Sequence, residues 1–228
     1  LATSGTLTLA FSALGTPGAA ERIAWAVQSP TTVSAGVVMT PAPVVVLLDA
    51  FGNLVDNVSE SVSVRWLRAD PDLDHRVPQL QGNTTVPYSG GRAVMSALFA
   101  NEACLESMRA STASLEAISD PVEVTAGAVS PLTSGLWANP WTAEANGADS
   151  ITISVLAKDQ FSNRVGGALA AVEVTGSGNH LGSFALTNLM GGSFAMLTST
   201  RAESKTLTAT INGVALPAVQ VSFTSLST

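Results

Sequence analysis

One phrase occurs twice in this chain. Residues 49–55 read DAFGNLV and residues 159–165 read DQFSNRV, 110 positions apart. Each copy follows a run rich in strand-forming residues, PAPVVVLL at 41–48 and ITISVLAK at 151–158. A strand that ends in Asp-x-Phe-x-Asn is therefore a repeated structural joint. Self-similarity at about one domain length points to tandem modules rather than one large core.

The rest of the sequence agrees with strands. In the second half Ile151, Ile153, Val155 and Ala157 alternate with Thr152, Ser154, Leu156 and Lys158, the period of a half-buried strand. Val172 and Val174 follow. Phe194 and Met196 come after Gly191-Gly192, and Leu207, Ala209 and Ile211 alternate with threonines. Asn212-Gly213 is a hairpin signal, because both residues tolerate positive φ. Val219, Val221 and Phe223 close the series. The first half repeats the order with Val62, Val64 and Trp66, then Gly90-Gly91 before Ala93 and Met95, then Met108 and Ala110, and last Val122 and Val124. No window carries a helical stripe; residues 101–108 are the best candidate and would make at most a short turn. The fold expected is all-β, two immunoglobulin-like antiparallel β-sandwiches arranged end to end. Residues 16–127 and 128–228 form the two modules, and residues 1–15 (with GTLTLAFSAL at 5–14) supply the last strand of a preceding one.

Composition removes several functional classes. The net charge is −7, and the only lysines are Lys158 and Lys205, so no basic stripe exists to follow a phosphate backbone. The apolar stretch 37–48 is broken by Pro41 and Pro43 and is too short to span a bilayer. No leader or anchoring tail is recognisable, so the chain reads as a piece of something longer or as a mature form. The single cysteine, Cys104, lies among apolar neighbours and reads as a packed, reduced thiol.

With these residues in view, the sequence resembles the bacterial Ig-like repeats of large surface adhesins and stalk proteins, including invasin- and intimin-type modules. The resemblance rests on the strand into D-[AQ]-F-[GS]-N-x-V, the Gly-Gly before an apolar strand, the TAT or RAST strand, and V-x-V-T-x-G-A into the next module. It covers nearly the whole chain. Ser162 stands where the first copy has Gly52, and the segment 69–78 is longer and more charged than the pattern expects. The resemblance implies an extracellular spacer or adhesive segment of a cell-surface or filament protein, with no catalytic residues and with neighbouring modules as partners. Self-assembly or a host or surface ligand would be further partners.

Few side chains suggest chemistry. Asp49 and Asn53 read as turn residues whose short polar groups bond the backbone; a cation between modules is the competing reading. Asp70, Asp72 and Asp74 alternate in DPDLDH and would be the oxygen ligands of a calcium ion, although no glycine tightens that loop and no distal glutamate completes it. His75 and His180 lack the neighbours of a zinc site. Neither G-x-S-x-G nor H-E-x-x-H is present, and no enzyme is indicated. Asn57 and Asn83 head N-glycosylation sequons, meaningful only in a glycosylating source. Aligning the two joints turns Val44, Val46 and Leu48 outward where the second copy has Ser154, Leu156 and Lys158. That apolar row is covered either by a loop of its own domain or by a subunit or module contact. Trp137 and Trp141 in LWANPW pack at the junction or, less favoured, offer carbohydrate platforms. A ligand-binding module and a filament subunit joined by strand exchange through residues 5–14 remain the alternative functions.

Overall fold

The computed structural model describes residues 15–67 and 79–225. Among these no residue is helical. Of the candidate turn at 101–108, residues 104–108 instead begin a strand that runs to Ser111 and buries Met108 and Ala110.

The first half contains β1 (Arg22–Val27), β2 (Thr32–Ser34), β3 (Val44–Leu48), β4 (Ser61–Leu67) and β5 (Leu80–Gln81). It continues with β6 (Thr85–Pro87), β7 (Arg92–Val94), β8 (Phe99–Ala100), β9 (Cys104–Ser111) and β10 (Glu116–Thr125). One sheet has the order β1-β3-β7 and the other β2-β10-β9-β4-β6, while β5 and β8 pair separately. The second half contains β11 (Gly135–Asn139), β12 (Thr142–Glu144), β13 (Ser150–Leu156), β14 (Ala170–Val174) and β15 (Asn179–Leu181). It ends with β16 (Gly192–Ser199), β17 (Glu203–Ile211), β18 (Val214–Ala215) and β19 (Val219–Thr224). Its sheets run β11-β13-β16-β15 and β12-β19-β17-β14, with β18 on β17.

Both halves share one irregular pairing. The second strand crosses to the opposite sheet and lies parallel to the last, β2 on β10 and β12 on β19, while every other pair among the described residues is antiparallel. Buried side chains fall into two clusters. One runs from Ile23 to Val124 with Val45, Leu47, Val62, Val64 and Met108 at its centre. The other runs from Val129 to Phe223 with Ile151, Ile153, Leu197, Leu207 and Ile211. Alternation is the cause: β4 buries Val62, Val64 and Trp66 and exposes the residues between them. At the tip of β17, Asn212 and Gly213 both take positive φ, as the hairpin requires.

The repeated Gly-Gly is tied to the repeated joint. Gly91 accepts a hydrogen bond from Leu47 N–H at 3.0 Å, and Gly191 accepts one from Ala157 N–H at 2.7 Å. Both glycines have positive φ (71° and 73°), and a Cβ on either would collide with a backbone carbonyl, Val55 or Ala157.

Candidate functional site: a twice-built carboxylate joint

β3 and β13 each deliver an aspartate to the end of the sandwich, where the polypeptide must reverse within five residues. Asp49 is 2% exposed and Asp159 0%. A buried carboxylate needs donors on both oxygens. Asp49 receives Phe51 N–H and Asn53 N–H on Oδ1 at 2.9 and 2.8 Å. Its Oδ2 takes Gly18 N–H and Asn53 Nδ2, both at 2.9 Å. Asp159 repeats the set with Phe161 N–H and Asn163 N–H on Oδ1, each at 2.9 Å. Gly127 N–H and Asn163 Nδ2 fill its Oδ2 at 2.8 and 2.7 Å. The turn closes through Gly52 N–H or Ser162 N–H onto the aspartate carbonyl. Both residues stand at positive φ, 86° and 71°, so Ser162 occupies a left-handed position that glycine adopts at no steric cost.

Four N–H donors leave these oxygens no lone pair for a cation, which decides for turn chemistry at the joint. Hydrogen bonding from Asn53 and then from Gly18 holds the Asp49 carboxyl at about 2, below its ordinary value of 3.8.

The second joint also reaches the first core. Phe161 is half-buried against it, and a Cβ on Gly36 (φ 79°) would stand 2.7 Å from the Phe161 ring. Asn163 Nδ2 donates to Asn101 O at 2.8 Å, and Asn163 Oδ1 accepts Ala103 N–H at 2.9 Å. Open clefts of about 540 and 680 Å³ lie on either side of this contact, the first bordered by Glu102 and Arg164 and the second by Val37 and Gln160.

The remaining sequence candidates are scattered. Asp70, Asp72 and Asp74 lie outside the described residues, as does the 5–14 strand. Val44 and Val46, in a row expected to be covered by a loop of its own domain or by a subunit or module contact, are 9% and 6% exposed, and Leu48 is half-buried. Val44 sits in register between Val27 and Val94, and Val46 between Ala24 and Arg92. Both are thus covered within the chain itself and offer no open apolar face. Asn57 and Asn83 are exposed in loops. Cys104 is half-buried against the first core. Neither tryptophan packs at the junction: Trp137 is 47% and Trp141 58% exposed. Trp137 folds back over Gly135, whose missing Cβ makes room for the indole, and it shares a cross-strand row with Ser154 and Phe194. Among the described residues no three His, Cys, Asp or Glu side chains gather as a metal set, and no helix is long and apolar enough to cross a membrane.

Two features escaped sequence reading. The receiving side of the joint, Gly36 with Asn101 and Ala103, lies far from the motif it meets. Lys205 is 0% exposed and donates to Glu203 Oε1 at 2.7 Å and Ser177 O at 3.0 Å. Its phase with Leu207, Ala209 and Ile211 was the available signal.

Residues 130–226 match the family model described as invasin, domain 3. No curated protein sequence matches this one significantly. Among solved structures, the adhesin FdeC of Escherichia coli is similar over 93% of this chain and 68% of its own, at 18% identity and TM-score 0.56. InvD of Yersinia pseudotuberculosis is similar over 90% of this chain and 57% of its own, at 16% identity and TM-score 0.55. Invasin, described as a bacterial integrin-binding protein, aligns with 90% of this chain at 19% identity and TM-score 0.49, and the chain spans 40% of its length. The fold is thus the Ig-like fold of the FdeC and InvD structures, and within it residues 130–226 match the invasin domain 3 family.

Proposed function

We propose that this protein is a non-catalytic, extracellular structural segment of a larger surface adhesin, appendage or filament. In this reading residues 16–127 and 128–228 are two Ig-like modules in series, and their work is to hold a fixed spacing and direction. One observation carries the proposal. The joint that closes the second sandwich also grips the first, through Phe161 against Gly36 and the paired hydrogen bonds of Asn163 with Asn101 and Ala103. A side chain that donates and accepts across one contact fixes orientation as well as distance, which a flexible linker does not. The company of adhesin structures supports a surface location, and the acidic, threonine-rich composition fits an exposed scaffold.

Small-angle scattering tests the proposal. The intact protein should give one narrow set of inter-module orientations. Phe161→Ala should broaden it while leaving the melting of both halves unchanged within a few degrees. A wild-type protein already as flexible as the variant would overturn the reading.

A further inference from the structure

The joint is built twice but docked once. Phe161 is half-buried and Asn163 bonds two backbone groups in the loop ahead of β9, whereas Phe51 is 90% exposed. Asn53 is exposed as well, with the same hold on Asp49 that Asn163 has on Asp159. Phe51 belongs to a rigid turn that both aspartate oxygens brace, so its exposure is a fixed presentation rather than a loose loop end.

The backbone of the receiving surface is also built twice, with the exposed Thr200 side chain bordering Gly147 where the Phe161 ring borders Gly36. Gly36 N–H bonds Ala100 O at 2.7 Å, and the residue before it, Ala35, bonds Thr125 O at 2.8 Å. In the second half Gly147 N–H bonds Ser199 O at 3.1 Å, and Ala145 N–H bonds Thr224 O at 2.8 Å. Gly147 has φ 77° beside 79° at Gly36. Thr200 and Ala202 hence stand where Asn101 and Ala103 stand, just ahead of β17 as those are just ahead of β9. One residue, Asn146, is added, and its side chain takes up Ala148 N–H and Asp149 N–H.

Resting on the modular reading above, we propose that Phe51 and Asn53 are the docking face for the far end of a further Ig-like module that precedes this one. The occupant is defined by chemistry: a positive-φ glycine that leaves room for a phenyl ring, next to a backbone C=O and N–H two residues apart. The path of the polypeptide selects an upstream module over other partners. Gly18 N–H enters the Asp49 cage as Gly127 N–H enters that of Asp159. In the second copy, the strand running into the cage is β10, which belongs to the body that Phe161 meets.

The test is a tandem fusion of two copies, the first through Thr224 continuing into Pro17 of the second, so that Thr224 takes the place of Thr16. Phe51 of the trailing copy then faces Gly147, Thr200 and Ala202 of the leading copy. Hydrogen exchange at the leading Ala202 amide should slow about tenfold relative to the unfused protein. Phe51→Asp in the trailing copy should return it to the unfused rate and broaden the scattering, with core exchange unchanged because that side chain is solvent-exposed. Phe161→Asp in both copies serves as the comparison and should loosen only the joints within each copy. If Phe161→Asp loosens the fusion but Phe51→Asp changes nothing, the docking face is refuted and the series reading stands. If neither substitution changes exchange or scattering, both fail.

Discussion

Asp49 exchanges a hydrated carboxylate for one held by four N–H donors, and the exchange favours the ionised form. Its folded pKa, about 2, lies below the ordinary 3.8. A group depressed in this way stabilises fully above its unfolded pKa and loses that contribution as pH falls through its folded one. The urea midpoint of the protein should therefore drop between about pH 4 and pH 2. Asp49→Asn, which cannot ionise, should start lower at pH 7 and show a shallower fall in that window; a parallel fall would place the acid sensitivity elsewhere. The Asp-Asn pairing was legible in sequence because its partners lie within four residues. Gly18 and Gly127 were not legible as donors, since each sits some thirty positions from its acceptor and only the folded end of the sandwich joins them.

Period-two reading succeeded where a strand buries one face and faltered where strand neighbours intervene. β4 and β13 alternate as their sequences predict. β16 inverts the expectation: Ser193, Ala195 and Leu197 face inward, and the larger Phe194 and Met196 are 68% and 57% exposed. Hydrophobicity alone does not set the phase when small residues fit the core better. β3 buries both of its faces, which a two-state pattern has no means to express. β17 carries the sharper lesson, an inward lysine in phase with Leu207. Lys205→Met should stay within about 1 kcal/mol of the wild type, since an apolar chain fills the lysine's place and its partner Glu203, with a side chain 38% exposed, stays solvated. Glu203→Gln should be the more destabilising change, because the new amide oxygen, like Ser177 O, can accept from the buried Lys205 ammonium but brings no counter-charge. Hydrogen bonding from Lys205 holds the Glu203 carboxyl below its ordinary value, so this contribution too fades in acid. Denaturant titrations of both variants at pH 7 give the order; a costlier Lys205→Met would show that the ion pair adds net stability.

For the whole molecule, repetition was the most readable property, since a duplicated phrase needs no knowledge of packing to be noticed. How the second joint meets the first half was unreadable: Asn101 and Ala103 take part through their backbones, which carry no side-chain signal. The parallel pairing of β2 with β10, and of β12 with β19, has a mechanical consequence. Tension on the polypeptide pulls the start of one partner and the end of the other in opposite directions along the same line. Thr32, Val33 and Ser34 must then slide past Glu123, Val124 and Thr125 together, and their bonds load at once instead of unzipping singly. Single-molecule stretching should record two high, separate rupture peaks, and a proline at Ala35, which removes its N–H to Thr125 O, should lower one and spare the other. A strand three residues long is thereby the latch against force.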